Sequence, residues 1–258
     1  MLKFAANLSM MFAEAEFLNR FNLASENGFK GVEYLFPYDY DAEQLSDLLK
    51  TNNLIQVLYN LPAGNWAQGD RGIACDPNRV DEFKDGITLA VKYATKLQCG
   101  LVNCLAGIKP DDVSHELAEK TFVSNLQYAA PILAKIGVNL IIESINTRDI
   151  SEFYLNNTKH ARSIIEKVNH PNLFLQHDIY HMQIMEGDLA RTIENNIDFI
   201  KHIQLADNPG RHEPGTGEIN YDYLLPFINN LNYDGWIGCE YVPETTTDNS
   251  LRWLDKYK

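Results

Sequence analysis

The sequence is short of positive charge. Its 258 residues include 22 Lys and Arg against 35 Asp and Glu, which gives a formal charge of −13 at pH 7. Nucleic-acid backbones and anionic membrane surfaces are bound through clustered Lys and Arg, and this chain has no such cluster. We therefore expect no nucleic acid and no membrane as partner.

Long apolar runs and cysteine motifs are also missing. No run approaches the ~20 apolar residues that cross a bilayer. The first residues, MLKFAANLSM, lack the apolar core of a signal peptide. The four cysteines form no C-x-x-C motif, which favours reduced thiols over disulfides or a thiolate metal site. These features predict a cytoplasmic protein, and they leave the oligomeric state open, a homo-oligomer included.

The sequence does contain a regular alternation of strand-like and helix-like segments. Eight short apolar segments are bounded by Gly, Pro, Asn or Asp, as strands are. They span 3–9, 31–37, 54–62, 100–107, 138–146, 173–181, 200–207 and 235–243. Helical patterns follow each strand, which implies parallel βα units, and eight such units predict one α/β domain over 1–258, a (β/α)8 TIM barrel. A doubly wound open sheet is the alternative fold, but no G-x-G-x-x-G follows the first strand.

Four local features refine this prediction. Asn27-Gly28 predicts the end of the first helix, and Asp41 with Gln44 resembles a capping box that starts the second. The last helical pattern covers 247–257. The longest gap, residues 62–78, is polar and rich in glycine. It is a structural loop or a lid over a site.

Four of the later predicted strands carry an oxygen-bearing side chain near the C-terminal end. They are Glu143, Asp178, Gln204 and Glu240, at intervals close to one βα unit. Charged residues are rarely tolerated in apolar runs unless they are paired or bind a metal. Three carboxylates and an amide oxygen suit Mg²⁺, or alternatively Mn²⁺, better than Zn²⁺. We therefore predict a metal site at the mouth of the barrel, with polar rim residues satisfied by loops as the alternative.

Strand alternation also places neighbouring residues. It turns Ile141, Gln176, His202 and Gly238 inward, one layer deeper, and turns Cys239 outward to the helices. His181, three residues after Asp178, is either a hydrogen-bonded rim residue or a donor to a substrate oxygen.

Seven segments across nearly the whole chain resemble the hydroxypyruvate isomerase family of the xylose isomerase-like barrels. They are FAANLSMMF (4–12), GVEYLFPYDYD (31–41), NLPAGNWAQGDRGIAC (60–75), ESIN (143–146), DIYHMQIMEG (178–187), ADNPGRHEPGTGEINYDYL (206–224) and GWIGCEY (235–241). The resemblance implies an isomerase that interconverts hydroxypyruvate and 2-hydroxy-3-oxopropanoate, and it suggests a role in glyoxylate metabolism. It also implies that Glu143 and Glu240 are the acid/base pair, and that the four oxygen-bearing residues named above bind the metal. Related epimerases have His at the position of Gln204.

A substrate of this kind carries a carboxylate, and a guanidinium binds a carboxylate through two parallel hydrogen bonds. Arg211 lies on a Gly/Pro-rich loop after the seventh strand, which makes it the first candidate for this contact. Arg71, in the long loop after the third strand, is a weaker second candidate.

Four alternatives stay open at this point. The same barrel serves 2-oxo-tetronate isomerases, which act on a longer acid, and ketose 3-epimerases, whose neutral substrate would not need Arg211. A DNA-repair endonuclease of related fold would require a His-rich zinc site and a basic groove. A non-catalytic sugar-acid-binding protein would not need two glutamates.

Overall fold

The computed structural model describes residues 1–257, and these form a closed barrel of eight parallel strands in the order β1 to β8. The strands are β1 (Lys3–Asn7), β2 (Gly31–Glu33), β3 (Ile55–Asn60), β4 (Leu101–Cys104), β5 (Asn139–Glu143), β6 (Leu173–Asp178), β7 (Ile200–Leu205) and β8 (Trp236–Cys239). Each strand pairs with its sequence neighbour, and β8 closes on β1. The predicted TIM barrel is confirmed.

Helices surround the strands. They are α1 (Arg20–Glu26), α2 (Ala42–Thr51), α3 (Val80–Leu97), α4 (His115–Ala134), α5 (Thr158–Val168), α6 (Ile179–Met185), α7 (Leu189–Asn196), α8 (Tyr221–Asn230) and α9 (Thr247–Ser250). The predicted helix boundaries at Asn27 and Asp41 are confirmed: Asn27 is the C-cap of α1, and the Asp41 carboxylate accepts two backbone N–H groups of α2. Within residues 1–257, no helix is both long enough and apolar enough to cross a bilayer.

Each of the eight predicted strands runs two to four residues past the C-terminal end of the observed strand, and two predicted elements contain a different structure. The sixth predicted strand, 173–181, ends at Asp178 because the Asp178 carboxylate accepts the His181 backbone N–H at 3.0 Å and so caps α6. His181 therefore lies in the first turn of a helix. The predicted helix over 247–257 is instead the short α9 followed by a 3₁₀ helix, Arg252–Tyr257.

The apolar core has two parts. The larger part lies between the strands and the helices and includes Cys239, as alternation predicts. The smaller part fills the inside of the barrel with Ala5, Val57, Leu58 and Ile141. Polar side chains occupy the C-terminal end of the interior, above this small cluster. All four cysteines are buried free thiols, as predicted.

Residues 62–78 form an anchored segment. Gly72 pairs with Ala106 in a β-bridge, and Asp70 accepts a hydrogen bond from Arg79 at 2.8 Å. A Cβ on Gly72 would lie 2.5 Å from the Leu105 carbonyl oxygen, so this contact requires glycine. The anchors hold a 3₁₀ turn, Trp66–Gln68, which brings Trp66 to the barrel mouth.

Candidate active site

A ring of polar side chains occupies the C-terminal mouth of the barrel. Each strand contributes one, at its last or next-to-last residue or, for β8, at the residue that follows. The ring consists of Asn7, Glu33, Asn60, Asn103, Glu143, Asp178, Gln204 and Glu240, all of them buried. The four residues singled out in the sequence are thus brought together on the successive strands β5 to β8.

Glu143, Asp178 and Glu240 form an acidic group with His181. One potential ligand atom from each lies within 4.8 Å of the others. Burial and the neighbouring carboxylates raise the pKa of Glu143, and burial raises the pKa of Glu240 to about 8 although Arg211 opposes that shift. A divalent cation would stabilise the ionised carboxylates, and their oxygen atoms are donors that hard cations prefer. The residues present therefore fit a metal ion.

The His181 ring is oriented so that its Nε2–H is directed at the barrel mouth. Asn146 Oδ1 accepts the backbone N–H groups of the residues two and three positions later, at 3.0 and 2.7 Å. The Asn146 amide nitrogen therefore faces His181 Nδ1, 2.6 Å away, and donates to it. The neutral ring then carries its proton on Nε2, which lies 3.6 Å from Asp178 and 3.9 Å from Glu143. Burial lowers the pKa of His181 to about 4, which keeps the ring neutral near pH 7.

The two glutamates have different hydrogen-bond partners. Glu143 Oε2 accepts one amide hydrogen bond, from Asn103 at 2.9 Å, and its other oxygen has His181 as its neighbour. Glu240 Oε1 accepts from Asn7 at 3.1 Å and from Gln204 at 3.2 Å. Both glutamates are thus oriented from the barrel side by amide donors.

Gln204 lies beside this group with its amide engaged at both ends. Its nitrogen donates to Glu33 at 2.8 Å as well as to Glu240, and its oxygen accepts from Gln176 Nε2 at 2.5 Å. The amide oxygen keeps a second lone pair beside its hydrogen bond from Gln176, and that lone pair is the one that could bind a cation. The role of Gln204 as a metal ligand stays a prediction.

Arg211 reaches the mouth from the loop after β7. Its Nη2 donates to Glu240 Oε2 at 2.6 Å, and its guanidinium lies 5.1 Å from the centre of the Tyr180 ring. Asp207 organises the loop by accepting the backbone N–H groups of Gly215 and Ile219 at 2.9 and 3.0 Å. The sequence placed Arg211 on the correct rim, and the structure adds its contact with Glu240.

Apolar side chains complete the pocket above the polar ring. Met10, Leu35, Trp66, Leu105, Ile145 and Ile150 line it together with His181 and Arg211, and Leu58 of the cluster inside the barrel also contacts the pocket. Its free volume is about 90 Å³, which suits a ligand of few atoms.

Arg71 does not line this pocket. It donates to the Trp66 and Asp70 carbonyl oxygens at 3.1 and 2.7 Å and lies 4.4 Å from the centre of the Trp66 ring. Its contacts therefore stabilise Trp66, which lines the pocket. The role of Arg71 in binding a substrate carboxylate stays a prediction.

Sequence reasoning missed the first half of the ring, above all Glu33. This carboxylate is 1% exposed and contacts Asn7, His202 and Gln204. It lies in the apolar run GVEYL. The rule that identified Glu143 and Glu240, a charge inside an apolar strand, would have found it.

The inward layer is as predicted. Ile141 belongs to the cluster inside the barrel, and Gln176 and His202 make hydrogen bonds across the interior. A Cβ on Gly238 would lie 2.3 Å from both Glu33 carboxylate oxygens, so Gly238 also faces inward.

The fold and its acidic mouth define a (β/α)8 barrel whose C-terminal end could hold a metal ion, and comparison with known proteins identifies the family. The chain matches the model of the xylose isomerase-like TIM barrel family over residues 21–257. It is 53% identical to the hydroxypyruvate isomerase of Escherichia coli K12 over 258 residues, covering 100% of both chains. It is 44% identical to a 2-oxo-tetronate isomerase of Cupriavidus necator, covering 100% of this chain and 99% of that one. The chain therefore belongs to the xylose isomerase-like TIM barrel family.

Solved structures show the same barrel. A Brucella melitensis protein described as an AP endonuclease of family 2 superposes with a TM-score of 0.98 at 44% identity, covering 100% of both chains. A D-allulose 3-epimerase from Methylomonas sp. superposes with a TM-score of 0.76 at 22% identity, covering 97% of this chain and 89% of that one, which shows a shared fold alone.

Proposed function

We propose that this protein is a hydroxypyruvate isomerase that interconverts hydroxypyruvate and 2-hydroxy-3-oxopropanoate. The observation that carries the proposal is the pair of buried glutamates, Glu143 and Glu240, beside the cationic Arg211 in a pocket of small volume. The 53% identity to the Escherichia coli enzyme over the whole chain supports this choice of substrate.

The reaction moves one proton between neighbouring carbons. A glutamate takes a proton from C3 of hydroxypyruvate, the electrons of that C–H bond form the C2–C3 double bond, and the π electrons of the C2 carbonyl move to its oxygen, which gives an enediolate. A proton then adds to C2, and the C3 oxygen becomes the aldehyde as its own proton is lost to the C2 oxygen. We assign the two carbon-bound protons to Glu143 and Glu240, and their burial in the wall of the pocket supports this assignment.

His181, Arg211 and a bound cation would assist these proton transfers. The Nε2–H of His181 can donate to a substrate oxygen that becomes negative, and Arg211 can bind the carboxylate with its remaining N–H groups. Glu143, Asp178, Glu240 and Gln204 would hold a divalent cation, Mg²⁺ or Mn²⁺, which supplies charge stabilisation to the enediolate oxygens.

A 2-oxo-tetronate isomerase is the second candidate, because relatives of that name reach 44% identity. The two differ by one carbon in the substrate. The ratio of kcat/KM for hydroxypyruvate to kcat/KM for 2-oxo-tetronate decides between them, and we expect it to favour hydroxypyruvate.

The endonuclease description of the Brucella protein is a poor guide for this chain. A formal charge of −13 opposes binding to a phosphate backbone. In residues 1–257, the one His/Cys/Asp/Glu group that could hold a metal contains a single histidine, whereas a zinc-dependent nuclease requires several nitrogen ligands.

The experiment is proton exchange followed by NMR. The protein is incubated with hydroxypyruvate in D₂O, and the C3 protons are followed with Mg²⁺, with EDTA, and without protein. We expect loss of the C3 signal and appearance of the aldehyde with Mg²⁺, and activity at least ~10²-fold lower after chelation, although the protein still melts cooperatively. Full activity in protein shown by elemental analysis to be free of metal would contradict the metal site, and no turnover under any condition would contradict the function.

A further inference from the structure

Glu33 is a buried carboxylate that the proposed reaction does not use. It ends β2, it is 1% exposed, and it lines the same pocket as Glu143 and Glu240. A buried charge is retained only where hydrogen bonds compensate its lost hydration. Three side chains provide them: Asn7 at 3.0 Å and Gln204 at 2.8 Å to Oε1, and His202 Nε2 at 2.7 Å to Oε2.

The facing strand leaves space for this carboxylate. A Cβ at Gly238 of β8 would lie 2.3 Å from both Glu33 oxygens, far below van der Waals contact. Glycine at this position therefore admits the Glu33 carboxylate to the centre of the barrel. In register, Gly238 pairs with Gln204 of β7, the residue that Glu33 contacts.

Two amides connect Glu33 to Glu240. Asn7 Nδ2 donates to Glu33 at 3.0 Å and to Glu240 at 3.1 Å, and Gln204 Nε2 donates to the same two carboxylates at 2.8 and 3.2 Å. A primary amide nitrogen carries two hydrogens, one for each carboxylate. Rotating either amide by 180° would place its oxygen against two carboxylate oxygens, so the pair of glutamates holds both amide orientations, together with the Ser9 backbone N–H that donates to Asn7 Oδ1 and Gln176 that donates to Gln204 Oε1.

From this arrangement we propose that Glu33 is a positioning residue for the isomerisation. Its carboxylate, held by His202, keeps the N–H groups of Asn7 and Gln204 directed at Glu240 Oε1. Glu240 is thereby held in one orientation, with Oε2 towards Arg211 and the pocket. This inference rests on the proposed function, because Glu240 is taken as an acid/base group.

The first test is Glu33→Gln, which keeps the size of the side chain but removes one of its two acceptor oxygens. The remaining neutral oxygen accepts from both amides only if the NH₂ group faces His202 Nε2, whose proton would have to move to the unpartnered Nδ1, so Asn7 and Gln204 are held towards Glu240 less firmly. We expect kcat for hydroxypyruvate to fall by ~10–100-fold while KM changes by less than ~3-fold, because positioning of the acid/base group affects the transition state more than substrate binding.

The second variant is Gly238→Ala, which displaces the Glu33 carboxylate without altering its chemistry. It should reproduce the pattern of Glu33→Gln, a lower kcat with a nearly constant KM, and it provides a result where Glu33→Gln fails to fold. The matched control is Asn172→Ala. Asn172 also donates two hydrogen bonds, to the carbonyl oxygens of Ala130 and Val138, but it lies just before β6 at the opposite end of the barrel. It should lower the melting temperature and leave kcat unchanged.

The outcomes separate the two proposals. Wild-type turnover of hydroxypyruvate tests the function, and the ratio of each variant to wild type tests Glu33. An active wild type with kcat within twofold in both variants would overturn the role of Glu33 alone. An effect mainly on KM, or an equal fall of kcat in Asn172→Ala, would overturn it as well, because a structural role predicts both.

Discussion

Strands β1–β4 and strands β5–β8 end in different chemistry, although all eight have the same parallel geometry. The first four contribute three amides and one carboxylate, Asn7, Glu33, Asn60 and Asn103, and the second four contribute three carboxylates and one amide, Glu143, Asp178, Gln204 and Glu240. Amides of the first half donate to glutamates of the second: Asn103 to Glu143 and Asn7 to Glu240.

This difference indicates a division of labour. An amide nitrogen bound to one carboxylate oxygen orients the carboxyl group and leaves the other oxygen directed at the pocket. For Glu143 the second oxygen faces His181, and for Glu240 it faces Arg211. The first half of the rim therefore supplies amides that orient the glutamates, with Gln204 as one more from the second half, and the second half carries the groups that we propose to react.

The largest expected effect comes from the reacting half. Glu143→Gln and Glu240→Gln keep an oxygen and nearly the same volume but remove the base. At saturating Mg²⁺, kcat should fall by ~10²–10⁴-fold, the usual contribution of a positioned acid/base group. Both variants should still melt cooperatively, because the apolar core does not include either side chain.

Deuterium exchange distinguishes the two glutamates. If each serves one carbon, one variant retains exchange of the C3 hydrogen with D₂O without forming product, and the other loses both. A variant that keeps more than about a tenth of wild-type kcat with metal bound would show that this glutamate is not the acid/base group. His181 would then be the next residue to test.

Arg211→Met should have the next largest effect. We expect kcat/KM for hydroxypyruvate to fall by ~10²-fold, the scale of a charge-assisted hydrogen-bonded pair with its positioning. Neutral hydroxyketones should be affected much less. Arg211→Lys is a useful control because Arg211 contacts Glu240. Lysine keeps a positive charge near Glu240 but cannot form two parallel hydrogen bonds with the substrate carboxylate. Equal losses for acidic and neutral substrates would mean that Arg211 supports Glu240 and does not bind the acid.

The two halves also differ in how far the sequence predicts them. Glu143, Asp178 and Glu240 were identifiable because an acid within an apolar strand is rare, and the spacing of one βα unit placed them on successive strands. Asn7, Asn60 and Asn103 give no such signal, because asparagine is common at strand ends and in turns. Their role depends on which carboxylate each faces, and that is a property of the closed barrel.

Local boundaries were less predictable for a related reason. The apolar run LFLQHDIYH continues past Asp178. The strand ends there because the Asp178 side chain caps the helix that follows. The contacts of Arg211 and Arg71 were also beyond the sequence. Both lie on Gly-rich loops after strands, but one reaches Glu240 and the other packs on Trp66.

The smallest expected effect tests the orienting half directly. Asn103 is fully buried and donates to Glu143 Oε2 at 2.9 Å and to Asn60 Oδ1 at 3.0 Å. Asn103→Leu keeps a similar volume and removes both donations. Loss of one hydrogen bond to a buried charge corresponds to ~1.5–3 kcal/mol, so kcat should fall by about 10-fold or more while Glu143 stays in place as a base.

Asn60→Leu is the matched comparison. It removes the acceptor on the neighbouring strand but leaves the bond between Asn103 and Glu143, so its effect on kcat should be within ~3-fold, since that amide keeps its charged partner. Kinetics for hydroxypyruvate at saturating Mg²⁺, with melting temperatures for both variants, give the answer. If the two substitutions lower kcat equally, Asn103 contributes only to the packing of the first four strands. The distinction between an orienting half and a reacting half would then not hold for Glu143.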